Sequence, residues 1–86
     1  VVTWDFTNVS GANSKATTVT LINRSGIGYT YGDAVNVNGA PVASGVRWVG
    51  GNPPPSTAND DILTFSIIRD GTGVTRVYCS SSINII

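Results

Sequence analysis

The segment 62–68 alternates strictly between two kinds of side chain, and this alternation constrains the fold more than any other feature of the sequence. Its odd positions are large and apolar, and its even positions are two isoleucines, a threonine and a serine. A period of two is typical of a β-strand that buries one face. The chain also contains no glutamate, glutamine or methionine, which are common helix formers. We therefore predict an all-β protein.

Other segments show the same tendency more weakly and are separated by turn residues. Asn38-Gly39 suits a tight hairpin turn, and Asp70-Gly71-Thr72-Gly73 is a second hairpin signal. Further strands are predicted over residues 2–9, 16–22, 27–31, 34–37, 40–43, 46–49 and 74–79, with an apolar tail over 83–86. About seven short strands separated by turns predict a small antiparallel β-sandwich with jelly-roll-like connections. We expect one domain over residues 1–86, standing alone or as one part of a longer fibre or decoration protein.

The length of the chain limits how it can be stabilised. A domain of 86 residues buries only about 60 % of the surface of its unfolded chain and is marginally stable alone. Cys79 is the single cysteine, so an intrachain disulfide is excluded, and the lack of histidine argues against zinc, copper or iron. Oligomerisation is the remaining route. We expect no cofactor and no transition metal.

Charge excludes two classes of partner. Five Lys and Arg balance five Asp, and they are scattered along the chain. Such a chain has no basic footprint for nucleic acid or an anionic membrane. Its apolar runs are also shorter than the roughly 20 residues of a spanning helix. We expect neither nucleic acid nor membrane as a partner.

The second half of the chain resembles a domain that recurs in bacteriophage tail fibres and other virion-surface proteins. The shared pattern is a strand ending in a basic residue and Trp, a Gly-Gly and proline loop, a strand, an Asp-Gly turn and a closing strand with Tyr. Here it comprises Val46-Arg47-Trp48-Val49-Gly50-Gly51-Asn52-Pro53, Asp61-Ile62-Leu63-Thr64-Phe65, Arg69-Asp70-Gly71 and Val77-Tyr78. Residues 6–9 and 17–21 fit more loosely. The chain departs from the pattern at Cys79, where glycine is more usual, and lacks extra aromatics in its last strand.

The resemblance implies a non-enzymatic building block that assembles as a homotrimer in a fibre or on a capsid surface. We expect the partners to be other copies of the chain and virion proteins such as capsid or fibre. The expected location is the virion surface, after assembly in the cytoplasm of a bacterial host. Candidate interface residues are Tyr29, Tyr31, Ile83, Ile85 and Ile86. Candidate outward loop contacts are Asn52, Pro53, Pro54, Pro55 and Arg24, within the loops 52–59 and 23–28.

Asp60-Asp61 is the only pair of adjacent carboxylates and the first candidate for chemistry. A glycosidase needs two carboxyl groups that flank one bond, but neighbouring residues of a strand point to opposite faces, so this pair is poorly arranged for catalysis. We favour a structural role, in which the pair satisfies backbone groups at the start of the following strand. The alternative is a calcium ligand set that also uses Asn59 and Asp70.

Cys79 is the only thiol nucleophile, and the sequence also offers several serines. Because it contains no histidine, neither the thiol nor a serine hydroxyl has the usual base to activate it. We expect Cys79 to pack in the interior and the protein not to be an enzyme.

The aromatic residues leave a second function open. Trp4, Tyr29, Tyr31, Trp48 and Tyr78 together suggest a sugar-stacking platform. The competing interpretation places Trp4, Phe6, Trp48 and Phe65 in the core, which we favour. A carbohydrate-binding module that attaches to host surface glycans therefore remains the alternative to a structural virion protein.

Overall fold

The structure is a computed structural model that describes residues 1–24 and 28–86. Within these ranges the chain forms seven strands and no helix, so none of the described residues belongs to a helix that could cross a membrane. The strands are β1 (Val2–Phe6), β2 (Lys15–Arg24), β3 (Tyr31–Val37), β4 (Ala40–Pro41), β5 (Val46–Trp48), β6 (Asp60–Arg69) and β7 (Thr75–Ile85). The all-β prediction is confirmed. Ser25, Gly26 and Ile27, which the sequence assigned to a turn and the start of a strand, lie outside the described residues.

The strands form two sheets that pack face to face. One sheet has three strands in the order β1-β3-β4, and the other has four in the order β2-β6-β7-β5. The longest strands, β2, β6 and β7, are adjacent in the four-stranded sheet, and β6 pairs along nearly its whole length with both neighbours. The predicted β-sandwich is confirmed, with β6 at its centre.

Both sheets are mixed, with parallel and antiparallel pairs. The prediction of an antiparallel sandwich with jelly-roll-like connections is corrected in this respect. β1 pairs in parallel with β3, and β5 pairs in parallel with β7. The cause is the path of the chain between sheets. It leaves the three-stranded sheet after β1, reverses through β2 in the other sheet and returns to β3. Two reversals bring β3 back in the direction of β1.

The core is built around Phe65 on the inner face of β6. The rings of Trp4, Phe6 and Trp48 surround it, with centroids 4.9, 5.1 and 6.4 Å from that of Phe65. Leu63 and Ile67, which share its face, are also buried. The predicted alternation of 62–68 and the placement of both tryptophans in the core are confirmed.

The Asn38-Gly39 hairpin forms as predicted and also holds a distant loop. Asn38 and Gly39 have φ angles of 51° and 82°, the left-handed values that the tight turn needs. The Asn38 side chain then bonds both backbone groups of Val9, accepting from its N–H at 3.0 Å and donating to its carbonyl oxygen at 2.8 Å. The turn thereby fixes the connection from β1 to β2. The following strand, β4, is a short edge strand that contains Pro41, as expected for proline.

Candidate functional site

The most developed polar site is a buried carboxylate, Asp61, between the two sheets. Asp61 is the second residue of β6, and it has no solvent-exposed surface. Its side chain points inward, on the same face of β6 as Leu63, Phe65 and Ile67. The rest of the buried set is hydrophobic, so Asp61 is the one ionisable carboxylate inside the described core.

Four donors surround the two oxygens of Asp61. Oδ1 accepts from the Thr57 hydroxyl at 2.6 Å and from the Asn84 N–H at 3.0 Å. Oδ2 accepts from the Tyr31 hydroxyl at 2.8 Å and from the Thr57 N–H at 2.9 Å. Asn23 in turn donates to the Tyr31 hydroxyl at 2.8 Å. The site therefore ties β2, β3, β6, β7 and the loop before β6 to a single carboxylate.

The electrostatics of the site keep Asp61 ionised. Burial raises its pKa, but the hydrogen bonds from Thr57, Asn84 and Tyr31 together outweigh burial and bring the pKa down from 3.8 to about 2. Burial raises the pKa of Tyr31 from its ordinary value. A permanently charged carboxylate beside a protonated phenol is a stable hydrogen-bonded pair, and neither group is poised to exchange a proton near neutral pH.

A bulge in β7 delivers one of these donors. The register of β6 and β7 shifts between Asp60 and Ile62, and Asn84 has a φ of 58°. An extra residue in the left-handed region turns a backbone group out of the ladder. The Asn84 N–H is thereby directed at Asp61, and the Asn84 side-chain oxygen accepts from Asn59 at 2.7 Å.

The geometry supports the structural interpretation of Asp60-Asp61. Asp61 accepts from the Thr57 N–H just before β6, as expected, and also from the Asn84 N–H of β7, while Asp60 points outward and pairs with Arg24 at 3.5 Å. The calcium alternative fails because Asp70 follows the opposite end of β6, where it accepts from Thr72 and Val74 in its own turn. Among the described residues, no group of three or more His, Cys, Asp or Glu is arranged to hold a metal ion.

Cys79 lies in the core, in register with Phe65 on the neighbouring strand. Burial raises the pKa of its thiol to about 11. The thiolate is the reactive form of cysteine. The small thiolate fraction and the burial of the sulfur both oppose nucleophilic chemistry at Cys79.

We therefore predict that Cys79 is nearly inert in the folded protein. At pH 8 a thiol with this pKa is about one thousandth ionised, against roughly a quarter for a free cysteine. Colorimetric titration with a disulfide reagent should label Cys79 at least about 100-fold more slowly in buffer than in denaturant. Equal rates in the two conditions would show that the core opens readily around β7.

The centre of the outer face of the four-stranded sheet is neutral and weakly polar. It consists of the side chains of β2, β6 and β7 that point away from the three-stranded sheet. Their three central cross-strand rows are Thr18, Ser66 and Tyr78; Thr20, Thr64 and Ser80; Ile22, Ile62 and Ser82, and we call these nine residues the neutral outer face. None of these nine residues is charged. Charged residues border this face: Arg47 of β5 lies beside Tyr78, Arg76 lies in the row beyond at one end, and Arg24 and Asp60 lie at the other. Ile22 is 56 % exposed and Tyr78 is 37 % exposed, so the face presents apolar groups and hydroxyls together.

Two strand edges border this face. β2 is the outermost strand of its sheet, with ten residues paired on one side only. On the other side, β5 covers only Val77–Cys79 of β7, so residues 80–85 have no strand partner there within the described chain. Unpaired edges of this length are sites where a further strand or another chain can add.

The candidate interface residues divide in the structure. Tyr29 is 59 % exposed, Ile85 is 40 % exposed and Ile86 is fully exposed, whereas Ile83 is half-buried. Tyr31 is 2 % exposed, which contradicts its prediction as an interface residue. The prediction assumed one strand through both tyrosines, but β3 begins only at Tyr31, so the two side chains do not share a strand face.

The candidate loop contacts lie mostly at the surface. Asn52, Pro53 and Pro55 are exposed, and Pro54 is half-buried. Pro53 to Pro55 face Tyr29 across an open cleft of about 440 Å³. The Ser56 hydroxyl donates to the Tyr29 carbonyl oxygen at 2.5 Å and joins the two loops. Arg24, at the end of β2, is exposed and reaches Asp60.

The proposed sugar-stacking platform does not form as a row. Trp4, Tyr31 and Trp48 are buried, with the indole N–H groups of Trp4 and Trp48 donating to the Gly32 carbonyl oxygen and the Asp33 carboxylate. Tyr29 and Tyr78 remain exposed. They lie apart, one beside the proline loop and the other on the outer sheet face.

Sequence reasoning missed Asp61 as the centre of the polar site and the outer face as a continuous surface. The parity of 61, 63, 65 and 67 was a usable signal for an inward Asp61. The outer face had no such signal, because the pairing of β2 with β6 joins distant segments. Comparison with protein-family models, curated proteins and solved structures finds no match to this chain.

Proposed function

We propose that this chain is a non-catalytic structural module of a bacteriophage virion surface, either a capsid decoration protein or a fibre module. It acts by assembling with copies of itself, as a homotrimer, and with other virion proteins. The observation that carries the proposal is the neutral outer face of the four-stranded sheet, flanked by the open edges of β2 and β7.

The chemistry of this face suits contact with another protein. Charged residues are depleted from the centres of protein interfaces, and the nine residues of the neutral outer face include none, with Arg47 at its border. Hydroxyl side chains can be covered without a large penalty if they find partners, while Ile22 and Tyr78 gain from burial. Association would also supply the burial that a domain of this size lacks.

The resemblance to virion-surface domains is compatible with this arrangement. Its residues occupy β5, β6, the Asp70-Gly71 turn and the first half of β7. Those elements supply three of the four strands of the larger sheet, whose inner side forms the core and whose outer side includes the neutral outer face. The pattern thus coincides with the part of the fold to which we assign assembly.

A matched pair of variants tests the assembly surface. Thr20 is exposed in the middle row of the outer face, on the edge strand β2, and Thr3 is exposed on β1 in the other sheet. We expect light scattering across a dilution series to give a trimer for the native chain. Thr20→Arg should raise the dissociation midpoint at least about tenfold, since a buried unpaired charge costs more than the 1.4 kcal/mol that corresponds to tenfold. Thr3→Arg should leave the midpoint unchanged.

Two outcomes would contradict the proposal. If the native chain stayed monomeric up to millimolar concentration, the proposed self-assembly would be wrong. A trimer weakened equally by both variants would place the contact elsewhere. Circular dichroism of each variant confirms that the fold is retained.

The cleft between Tyr29 and the proline loop favours carbohydrate binding as a second candidate. An exposed aromatic ring beside apolar proline rings can cover the face of a sugar. Tyr29→Ala is the suitable variant, because Trp48 is part of the core and its removal would disturb folding. Glycan binding that disappears in Tyr29→Ala and persists in Tyr78→Ala would support this function, and a screen without any binding would eliminate it.

A further inference from the structure

The end of the sandwich where β2 begins and β6 finishes carries an unusual pair of like charges. Lys15 and Arg69 are directly opposite each other in the last row of the β2–β6 ladder. Their Cβ atoms are therefore only about 4.5–5.5 Å apart, and like charges in such a pair repel. In most sheets a position of this kind carries a neutral residue or an opposite charge.

Neither cation forms an ion pair with a carboxylate in the described chain, which includes all five aspartates. The ion pairs found there are Arg24–Asp60 and Arg76–Asp70, so neither Lys15 nor Arg69 has a carboxylate oxygen within 4.0 Å. Arg69 is instead oriented by a neutral group, since its Nε–H donates to the Asn13 side-chain oxygen at 2.9 Å.

The two cations line a common cleft. It has a volume of about 180 Å³, and its walls include Thr17 and Thr75 as well as Ser10 of the β1–β2 loop. Thr75 is the partner of Arg69 on β7, so the row Lys15–Arg69–Thr75 forms the floor. A neighbouring cleft, which shares Thr75, contains Arg47 and Arg76. Three of the five cationic residues, Lys15, Arg69 and Arg76, thus lie in the last two rows of the sheet at this end, with Arg47 further in beside Tyr78 and Asp70 as the nearby acid.

We propose that the Lys15–Arg69 cleft binds an oxyanion group, a phosphate or a carboxylate, of a small ligand. A guanidinium and an ammonium group that line one small cleft together with hydroxyl side chains supply donors that match the oxygens of such a group. Binding would also relieve the repulsion between Lys15 and Arg69. This site is at the end of the sandwich and does not depend on the assembly proposed for the outer sheet face.

Titration with inorganic phosphate, followed by amide NMR, tests the site. Phosphate should shift the signals of Lys15, Arg69 and Thr75 in a saturable manner, and chloride at the same ionic strength should not. Acetate in a parallel titration separates recognition of carboxylates from recognition of phosphates. A saturable response to either anion supports the proposal, and a response to neither overturns it.

A matched pair of variants makes the assignment specific. Lys15→Gln should lower the affinity for the anion at least about tenfold, since one charge-assisted hydrogen bond is lost. Arg24→Gln, which removes an exposed cation at the other end of β2, should leave the affinity unchanged. Lys15→Gln should also raise the melting temperature in chloride, because the unpaired repulsion disappears. If Lys15→Gln and Arg24→Gln lowered the affinity equally, anion binding would depend only on the net charge of the protein, and the proposed site would be wrong.

Discussion

Asp61→Ala should destabilise the protein by at least about 3 kcal/mol, because four donors around the carboxylate lose their acceptor in the interior. Asp61→Asn should cost somewhat less, roughly 1–3 kcal/mol, since one oxygen is retained but an NH₂ group then faces the two donors of the other oxygen. The measurement is the free energy of unfolding from urea denaturation at pH 7. Asp60→Asn is the matched control, and we expect a change below about 1 kcal/mol because its ion pair with Arg24 is exposed.

The same carboxylate makes stability depend on acid pH. The folded-state pKa of Asp61, about 2, lies below the ordinary value of 3.8, so the folded protein binds fewer protons than the unfolded chain. Its contribution, about 2 kcal/mol, is fully present above pH 5 and is lost as the pH falls towards 2. Denaturation at a series of pH values should show this loss in the native protein and a flatter curve in Asp61→Asn. A curve of the same slope in both would assign the acid sensitivity to other groups.

Phe65→Ala is expected to have the largest effect of any single substitution. It removes the ring at the centre of the aromatic cluster, where Trp4, Phe6 and Trp48 all contact it. Large-to-small changes of this kind cost about 3–5 kcal/mol through lost burial and the cavity left behind. A domain of 86 residues has a total stability of only about 4–13 kcal/mol. The variant should therefore melt at least about 12 °C below the native protein.

Thermal unfolding by circular dichroism measures this effect, with Val74→Ala as the control. Val74 is 47 % exposed beside the β6–β7 turn, and we expect its truncation to change stability by less than about 0.5 kcal/mol. Phe65→Leu should fall between the two. If Phe65→Ala unfolded no earlier than Val74→Ala, the packing around β6 would be looser than the ring distances indicate.

Local sequence signals predicted the fold well where neighbouring residues decide the structure. The alternation of 62–68 placed Leu63, Phe65 and Ile67 inside, and Asn38-Gly39 gave the turn between β3 and β4. Both depend on contacts within a strand or a hairpin. The parallel pairs were not predicted, because strand direction depends on which sheet each segment joins, and no local pattern records that choice.

The candidate surfaces were predicted less well for a related reason. Tyr31 was assigned to the outside from its spacing to Tyr29, but its position is decided by the hydroxyl contact with Asp61, thirty residues away. The facing of Lys15 and Arg69 likewise appears only once β2 and β6 are paired. Polar sites formed between distant strands cannot be read from spacing along the chain.

The long β2–β6 ladder also has a consequence for how the chain folds. Residues 15–24 pair with residues 60–69, whereas β6 and β7 are joined by a short turn. Closing a large loop before any contact is gained costs entropy, so topologies of this kind fold slowly, in milliseconds to seconds. We expect the β6–β7 hairpin to form early and β2 to dock late. During synthesis β2 leaves the ribosome well before its partner, and its threonine-rich edge stays open to other chains until β6 arrives.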